Sequence, residues 1–386
     1  MVGVINMQSD SSRRCRIVVV GGIRTHYIKI KALQYKIESF DSEFKKKFDI
    51  IYVNAAQHYD NALTVHIKEL GVHFDYTLAH MTNDSYDILS SMFSLLGELF
   101  DKISSEGKID YVVVMGDVAT TAVAALVAVI KGIKVAHIEA GLRVMRGNGN
   151  EEYYRAISDQ ASTLCFAATR QDYDNLIAEN YEHRAVFSGD IMYDFIKNVI
   201  PNMQGNTFTY LVNDKKYVYK PESPYVLASL HHVENLSKET VGGLFCALDE
   251  MGYNSIFIAH PRVKKFIVNN NINTLNTKIV DAIPYIDNLY AISGSRFCFT
   301  DSGGIQREAY YLNRRCVVRS DLTIWPTILQ SGNNIVCSPD LDDIRNALKW
   351  ADANADKDIP YNGCFGDGSA VETIFHTIYK HYYETV

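Results

Sequence analysis

The chain has 386 residues, 47% hydrophobic and 22% charged, an ordinary globular composition long enough for two domains that need neither disulfides nor structural metals. Its net charge of -7 argues against general nucleic-acid binding, and no apolar run is long enough to span a bilayer. The cysteines (Cys15, Cys165, Cys246, Cys298, Cys316, Cys337 and Cys364) form no CxxC or Cys/His cluster, which predicts reduced thiols in a cytoplasmic protein with no metal and no redox cofactor.

Residues 1–14 are polar, lack a secretory core and read as a disordered lead-in. Arg16 to Gly22 is a β-branched run ending in paired glycines, the pattern of a buried parallel strand feeding a turn. Helical periodicity follows from Ile28 to Ile37, then a strand from Phe48 to Asn54 and a helix from Ile88 to Ile103. A strand from Asp110 to Met115 ends at Gly116-Asp117, and a small-residue helix, Thr120 to Ile130, leads to a strand from Val135 to Glu139. This alternation implies a parallel doubly wound sheet in an N-terminal domain of residues 15–200. Pro201 to Pro224 is less regular and reads as the linker region. The alternation then resumes. Strands are expected from Tyr225 to Ser229, Ser255 to Ile258, Arg296 to Thr300 and Cys316 to Arg319, with helices from Lys238 to Met251 and Gly304 to Leu312. They predict a second domain of residues 215–368, followed by a helical segment, 369–386, that packs back on the N-terminal domain. The expected fold class is α/β, with two Rossmann-like domains facing a central cleft, because ligands collect at the carboxyl ends of such strands.

The polar candidates cluster at those strand ends. Asp301-Ser302-Gly303-Gly304 delivers a hydroxyl and two glycines to a helix start, whose free amides and dipole favour a phosphate. Glu308, one turn into that helix, is placed to accept from ribose hydroxyls. A simple helix cap explains the same residues equally well. Gly21-Gly22-Ile23-Arg24 with Lys29 is a second glycine turn, although it lacks a Walker or full Rossmann fingerprint. Arg24 and Lys29 are cations for a diphosphate there, or ordinary surface groups. Asp117, Glu139 and Glu151 are carboxylates suited to proton exchange, with Arg143 beside them. Taken singly, caps and salt bridges account for them better. His231 and His232 follow a strand, as does His260. A neutral imidazole shuttles protons or hydrogen-bonds a diphosphate, and no convincing further ligands argue for zinc. Gln57-His58-Tyr59-Asp60 is a polar turn that spacing alone leaves open.

These segments, in this order over about residues 16–380, resemble the non-hydrolysing UDP-N-acetylglucosamine 2-epimerases. Gly22-Ile23-Arg24 through Lys29 resembles that family's Gly-Thr-Arg-Pro-Glu-x-x-Lys, Gln57-His58 its Gln-His turn, and Gly116-Asp117 its Gly-Asp-Thr. His137 to Arg143 is similar to His-x-Glu-Ala-Gly-Leu-Arg, Glu151 to Arg155 to Glu-Glu-x-Asn-Arg, and Leu230 to Asn235 to Leu-His-Arg-x-Glu-Asn. Asp301 to Glu308 resembles Asp-Ser-Gly-Gly-Ile-Gln-Glu-Glu, and Phe365 to Gly368 resembles Tyr-Gly-Asp-Gly. The resemblance implies the B-type glycosyltransferase fold, a homodimer, a UDP-sugar substrate, and no nucleic-acid or membrane partner. It places Lys29, Asp117, Glu139, Glu151 and His231 at catalytic positions. It places Arg24, Ser302 and Glu308 on UDP. Arg143, His260, Gly303 and Gly304 are further candidate substrate contacts, and Gln57 and His58 candidates for a second ligand. The implied reaction expels UDP from carbon 1 as a proton leaves carbon 2, then returns both through a 2-acetamidoglucal.

The chain departs from that pattern at several places. Thr25-His26 stands for Pro-Glu, His232 for Arg, and Arg307 for Glu, while Thr323 to Thr327 loses two carboxylates. These changes bear on the sugar, and a 2,3-diacetamido or uronic acid derivative is compatible with them. A hydrolysing 2-epimerase is an alternative, although its His-Gly-Gly-Glu differs from His137-Ile138-Glu139-Ala140. A glycosyltransferase on the same fold and a non-catalytic nucleotide-sugar sensor are the others.

Overall fold

The structure is a computed structural model. It describes residues 13–56, 70–78, 85–144, 150–199, 207–213, 215–320 and 325–384. The chain divides into two compact units, one running to Phe195 and resuming at Gly363, the other spanning Ile196–Asn362.

The first unit is built on parallel strands β1 (Cys15–Gly21), β2 (Phe48–Asn54), β3 (Tyr76–Thr77), β4 (Tyr111–Met115), β5 (Lys134–Ile138), β6 (Leu164–Ala167) and β7 (Ala185–Phe187). Their order in the sheet is β3-β2-β1-β4-β5-β6-β7. Strands covered on both faces read as unbroken apolar runs, as Tyr111–Met115 does, with every residue buried. Val18, Val20, Val112 and Val114 form one face, packed with Leu96, Phe100 and Ile103 of helix Ser85–Glu106 and Val123 and Val127 of helix Ala119–Ile130. The last helix, Ala370–Glu384, belongs to this unit, and its Phe375 ring meets Phe48 at 5.2 Å between centroids. The winding order reverses between β1 and β4, so the crevice at their carboxyl ends is this sheet's switch point.

The second unit carries a short antiparallel hairpin, β8 (Phe208–Val212) and β9 (Lys215–Tyr219). Its parallel sheet holds β10 (Tyr225–Leu230), β11 (Asn254–Ala259), β12 (Thr277–Val280), β13 (Phe297–Thr300), β14 (Cys316–Arg319) and β15 (Asn334–Cys337) in the order β12-β11-β10-β13-β14-β15. Alternate residues of β10 face opposite ways. Val226, Ala228 and Leu230 join the core under helices Lys238–Met251 and Leu341–Asn354, whereas Tyr225 and Leu227 pack with Phe208 and Tyr210 of the hairpin. Here the switch point lies between β10 and β13.

Helix Lys238–Met251 and strands Phe48–Asn54 and Cys316–Arg319 have their expected limits, and the other expected elements shift by a few residues at their ends. The largest shift is in the first helix, which begins at Arg24 directly after the glycine turn. The hairpin is an addition. Phe208 and Tyr210 are buried in a segment whose polar neighbours hide the alternation.

Candidate active site

In the first unit, the turn after β1 starts helix Arg24–Glu38 and carries Arg24 on its first residue. His26 and Lys29 lie on the buried side of that helix, 1% and 5% exposed. The Lys29 ammonium pairs with the Glu139 carboxylate, which follows β5. Gly116, after β4, gives them room: a methyl there would sit 3.3 Å from His26 Nε2, 3.4 Å from Lys29 Nζ and 3.8 Å from Glu139 Oε2. Three motifs far apart in the chain thus meet at the β1/β4 crevice. Burial, then the Lys29 charge, pushes His26 down to about 3, so it is a neutral imidazole at ordinary pH. Its Nδ1 has no hydrogen-bond partner among the described residues.

Asp117 sits beside them, after Gly116, and pairs with Arg155, which also holds Glu152 at 2.9 Å. Arg155 is 8% exposed and was expected only as part of a motif. The signal was its i,i+3 spacing from Glu152 on helix Glu151–Ala161. Glu151 is exposed on the first residue of that helix.

Glu139 itself has φ +67°, a left-handed conformation that costs a non-glycine residue roughly 1–2 kcal/mol. The bend is held by the residues around it. His137 hydrogen-bonds Asp159 at 2.6 Å and the Gly116 carbonyl at 2.8 Å, and the Gly141 amide donates to Asp159 at 3.1 Å. Arg143 lies 2.8 Å from Asp159 and 2.6 Å from Glu179. Burial raises the Asp159 carboxyl, but His137 and Arg143 outweigh it and hold it below the usual carboxylate range. Arg143 is thus bound into the bracket behind Glu139.

In the second unit, Asp301 follows β13 and is buried at the β10/β13 crevice. Its carboxylate accepts from the backbone amides of His231 (3.1 Å) and His232 (3.0 Å) and from Asn235 Nδ2 (2.9 Å), and it lies 2.8 Å from His231 Nδ1. Burial raises this carboxyl too, and those partners, His231 first, bring it below its ordinary value. Asp301 therefore orients His231 rather than capping the next helix. The His231 side chain is 46% exposed. His231, His232 and Asp301 offer ligand atoms within 4.8 Å of one another. The carboxylate's existing donors make this a hydrogen-bonded dyad rather than a cation cage.

Ser302 is the N-cap of helix Gly303–Tyr311, and its side chain makes no capping bond. Glu308, 8% exposed, accepts from Asn288 at 3.2 Å. Trp325 donates its indole N–H to the Gly303 carbonyl at 3.0 Å, and the Arg307 guanidinium lies 4.5 Å from the Trp325 ring centroid. His260 caps helix Pro261–Asn269 after β11, one strand away from β10. Gln57 and His58 lie outside the described residues.

The profile of one family, UDP-N-acetylglucosamine 2-epimerase, matches residues 42–379. The chain belongs to the UDP-N-acetylglucosamine 2-epimerase family. A UDP-N-acetylglucosamine 2-epimerase homolog of Methanococcus maripaludis is 30% identical over 366 residues, covering 92% of this chain and 97% of the relative. The UDP-2,3-diacetamido-2,3-dideoxy-D-glucuronate 2-epimerase of Pseudomonas aeruginosa is 28% identical, covering 95% and 99%. Among solved structures, Methanocaldococcus jannaschii UDP-GlcNAc 2-epimerase in complex with UDP-GlcNAc and UDP superposes with a TM-score of 0.73 at 25% identity, covering 94% of this chain and 99% of that one. The two Rossmann-like sheets are those of this epimerase family, an architecture related to the B-type glycosyltransferases. Among the described residues, no helix is long and apolar enough to cross a membrane.

Proposed function

We propose that this family member is a non-hydrolysing epimerase that inverts carbon 2 of UDP-N-acetylglucosamine or a closely related UDP-2-acetamido sugar. The observation that carries the reading is the pair of carboxylate–cation couples at the first switch point, Glu139 with Lys29 and Asp117 with Arg155. Removing a proton from carbon needs a positioned base, and returning it to the opposite face needs a positioned acid, each worth roughly 10²- to 10⁴-fold. In this reading a carboxylate takes the carbon 2 proton. The C–H electrons form the carbon 1–carbon 2 double bond, and the carbon 1–oxygen pair leaves with UDP. Reprotonation of carbon 2 from the other face and re-addition of the UDP oxygen to carbon 1 complete the isomerisation. Glu151 is assigned to the same proton traffic. Arg24 and the Asp301-oriented His231 stabilise the departing diphosphate, and Ser302, Gly303, Gly304 and Glu308 hold the nucleotide. The homodimer that the resemblance implies is proposed with it, and light scattering reads it directly.

Incubation with UDP-N-acetylglucosamine in deuterium oxide tests the reaction. The expected product is still UDP-linked, epimerised, and labelled at carbon 2. Free N-acetylmannosamine would identify a hydrolysing enzyme instead. Asp117→Asn and Glu139→Gln are each expected to lower turnover by at least about 10²-fold with circular dichroism unchanged. Full activity in both removes these residues from the mechanism.

A second reading concerns the sugar. Arg307 stands where the family pattern has Glu, and it is stacked on Trp325 beside the second switch point. This departure from the family pattern supports a different sugar within the class, such as the diacetamido-glucuronate named for the Pseudomonas relative.

A further inference from the structure

We propose that His26 is a positioning residue for the carbon 2 proton transfer: an uncharged ring wedged against the Lys29–Glu139 couple, so that the ammonium answers to one carboxylate and not two. The inference rests on the reading of Glu139 as a group that handles that proton. His26 is 1% exposed and lies one turn before Lys29 on the buried side of helix Arg24–Glu38. Two glycines admit the ring. A methyl on Gly21, at the end of β1, would lie 3.1 Å from His26 Cβ, and one on Gly116, after β4, would lie 3.3 Å from His26 Nε2. From that second point Lys29 Nζ is 3.4 Å away and Glu139 Oε2 is 3.8 Å away, so imidazole, ammonium and carboxylate converge on one spot in the crevice.

The charges at that spot decide what the ring does. Among the described residues, Glu139 is the carboxylate that pairs with Lys29, and the two cancel. Lys29 acts on the ring from its own helix, and Glu139 and His137 act from β5 and the turn after it. β1 and β4 meet it with glycines. Burial first, then the Lys29 charge, keeps the imidazole neutral against the pull of Glu139. Asp117, Arg155 and Glu152 are the charged groups next along the crevice. The pattern that this segment resembles has Glu in place of His26. A carboxylate there would compete with Glu139 for the ammonium and repel its charged form, holding a proton on Glu139 to higher pH. A unit charge this close shifts such an equilibrium by about one to two pH units in a partly screened crevice. His26 fills the same volume without that charge.

The test is the pH dependence of kcat/KM for epimerisation of UDP-N-acetylglucosamine, which reports the groups that titrate in the free enzyme. The proteins compared are the wild type, His26→Gln, His26→Glu and His26→Ala. His26→Gln, uncharged and of similar reach, is expected to hold the acid limb within about 0.3 pH unit of the wild type and kcat within about threefold. His26→Glu should raise the acid limb by about one pH unit or more. His26→Ala should leave the limb in place and lower kcat at least about tenfold with KM nearly unchanged, because the couple has lost its wedge. An acid limb that moves by more than about half a unit in His26→Gln shows that the ring itself titrates during turnover and overturns the proposal, whether or not His26→Glu folds. A folded His26→Glu with an unmoved limb, or His26→Ala with normal kcat, overturns it too. Deuterium at carbon 2 of the wild-type product keeps the two readings apart. With that label present, a contrary result strikes only the role of His26, whereas its absence strikes the proton-transfer reading and the proposal with it.

Discussion

His26 shows how one side chain couples the crevice to pH. It is buried and neutral, with a pKa of about 3 in the folded chain against 6.5 when unfolded. Between those values the unfolded chain binds a proton that the native chain refuses, so stability is present above pH 6.5 and drains away as pH falls toward 3. The slope is about 1.4 kcal/mol per pH unit, or about 2 kcal/mol between pH 6.5 and pH 5. Urea melts of the wild type and His26→Gln at several pH values isolate it. The variant is expected to lose this component of the slope, and parallel curves would show that His26 does not supply it. The chemistry-bearing residues were legible as types, since Asp117, Glu139, His231 and Ser302 all follow strands. Their partners were not. Asp301 meets His231 only because β13 lies beside β10, a neighbour relation that residues 70 apart do not announce. The partners of Arg143 were hidden in the same way, because Asp159 and Glu179 reach it through the fold.

At the scale of elements, the segment from His137 to Arg143 is a strand end forced into a left-handed bend. Gly141 has φ +83°, and a methyl group there would lie 2.2 Å from the Asp172 carbonyl oxygen. Gly141→Ala therefore combines backbone strain with overpacking against a main chain that cannot yield. It is expected to cost roughly 2–4 kcal/mol and to lower kcat by displacing Glu139. Denaturant melts together with turnover check both parts, and a stable variant with normal turnover contradicts the account of the bend. Most parallel strands were visible in the sequence because burial on both faces leaves apolar runs such as Val18-Val19-Val20. The hairpin Phe208–Val212 and Lys215–Tyr219 was not, since only β8 is substantially buried and β9 is mostly exposed. A pair covered on one side only gives a weaker pattern than a sheet covered on two.

For the molecule as a whole, the first unit is discontinuous, because the chain leaves it after Phe195 and re-enters at Gly363. The two passages are stitched together inside that unit. The Asp190 amide donates to the Phe365 carbonyl at 2.9 Å, and buried Asp194 accepts from the amides of Ala370 and Val371 at 3.0 and 2.8 Å. Val371, Ile374, Phe375 and Ile378 of the last helix are buried, each worth roughly 1.5–3 kcal/mol, a sum comparable to the whole stability of a domain. Termination after Asn362 is expected to leave strands β10 to β15 protected in hydrogen-exchange mass spectrometry and to expose β1 to β7. Protection of both sheets in the shortened chain would contradict this. The arrangement has a consequence for a nascent polypeptide. The ribosome delivers the residues that complete the first sheet's packing only after every residue of Ile196–Asn362 has been made, so the half begun earliest is finished last. During that interval Phe48 and its neighbours lack the helix that covers them, leaving apolar surface open to non-specific association.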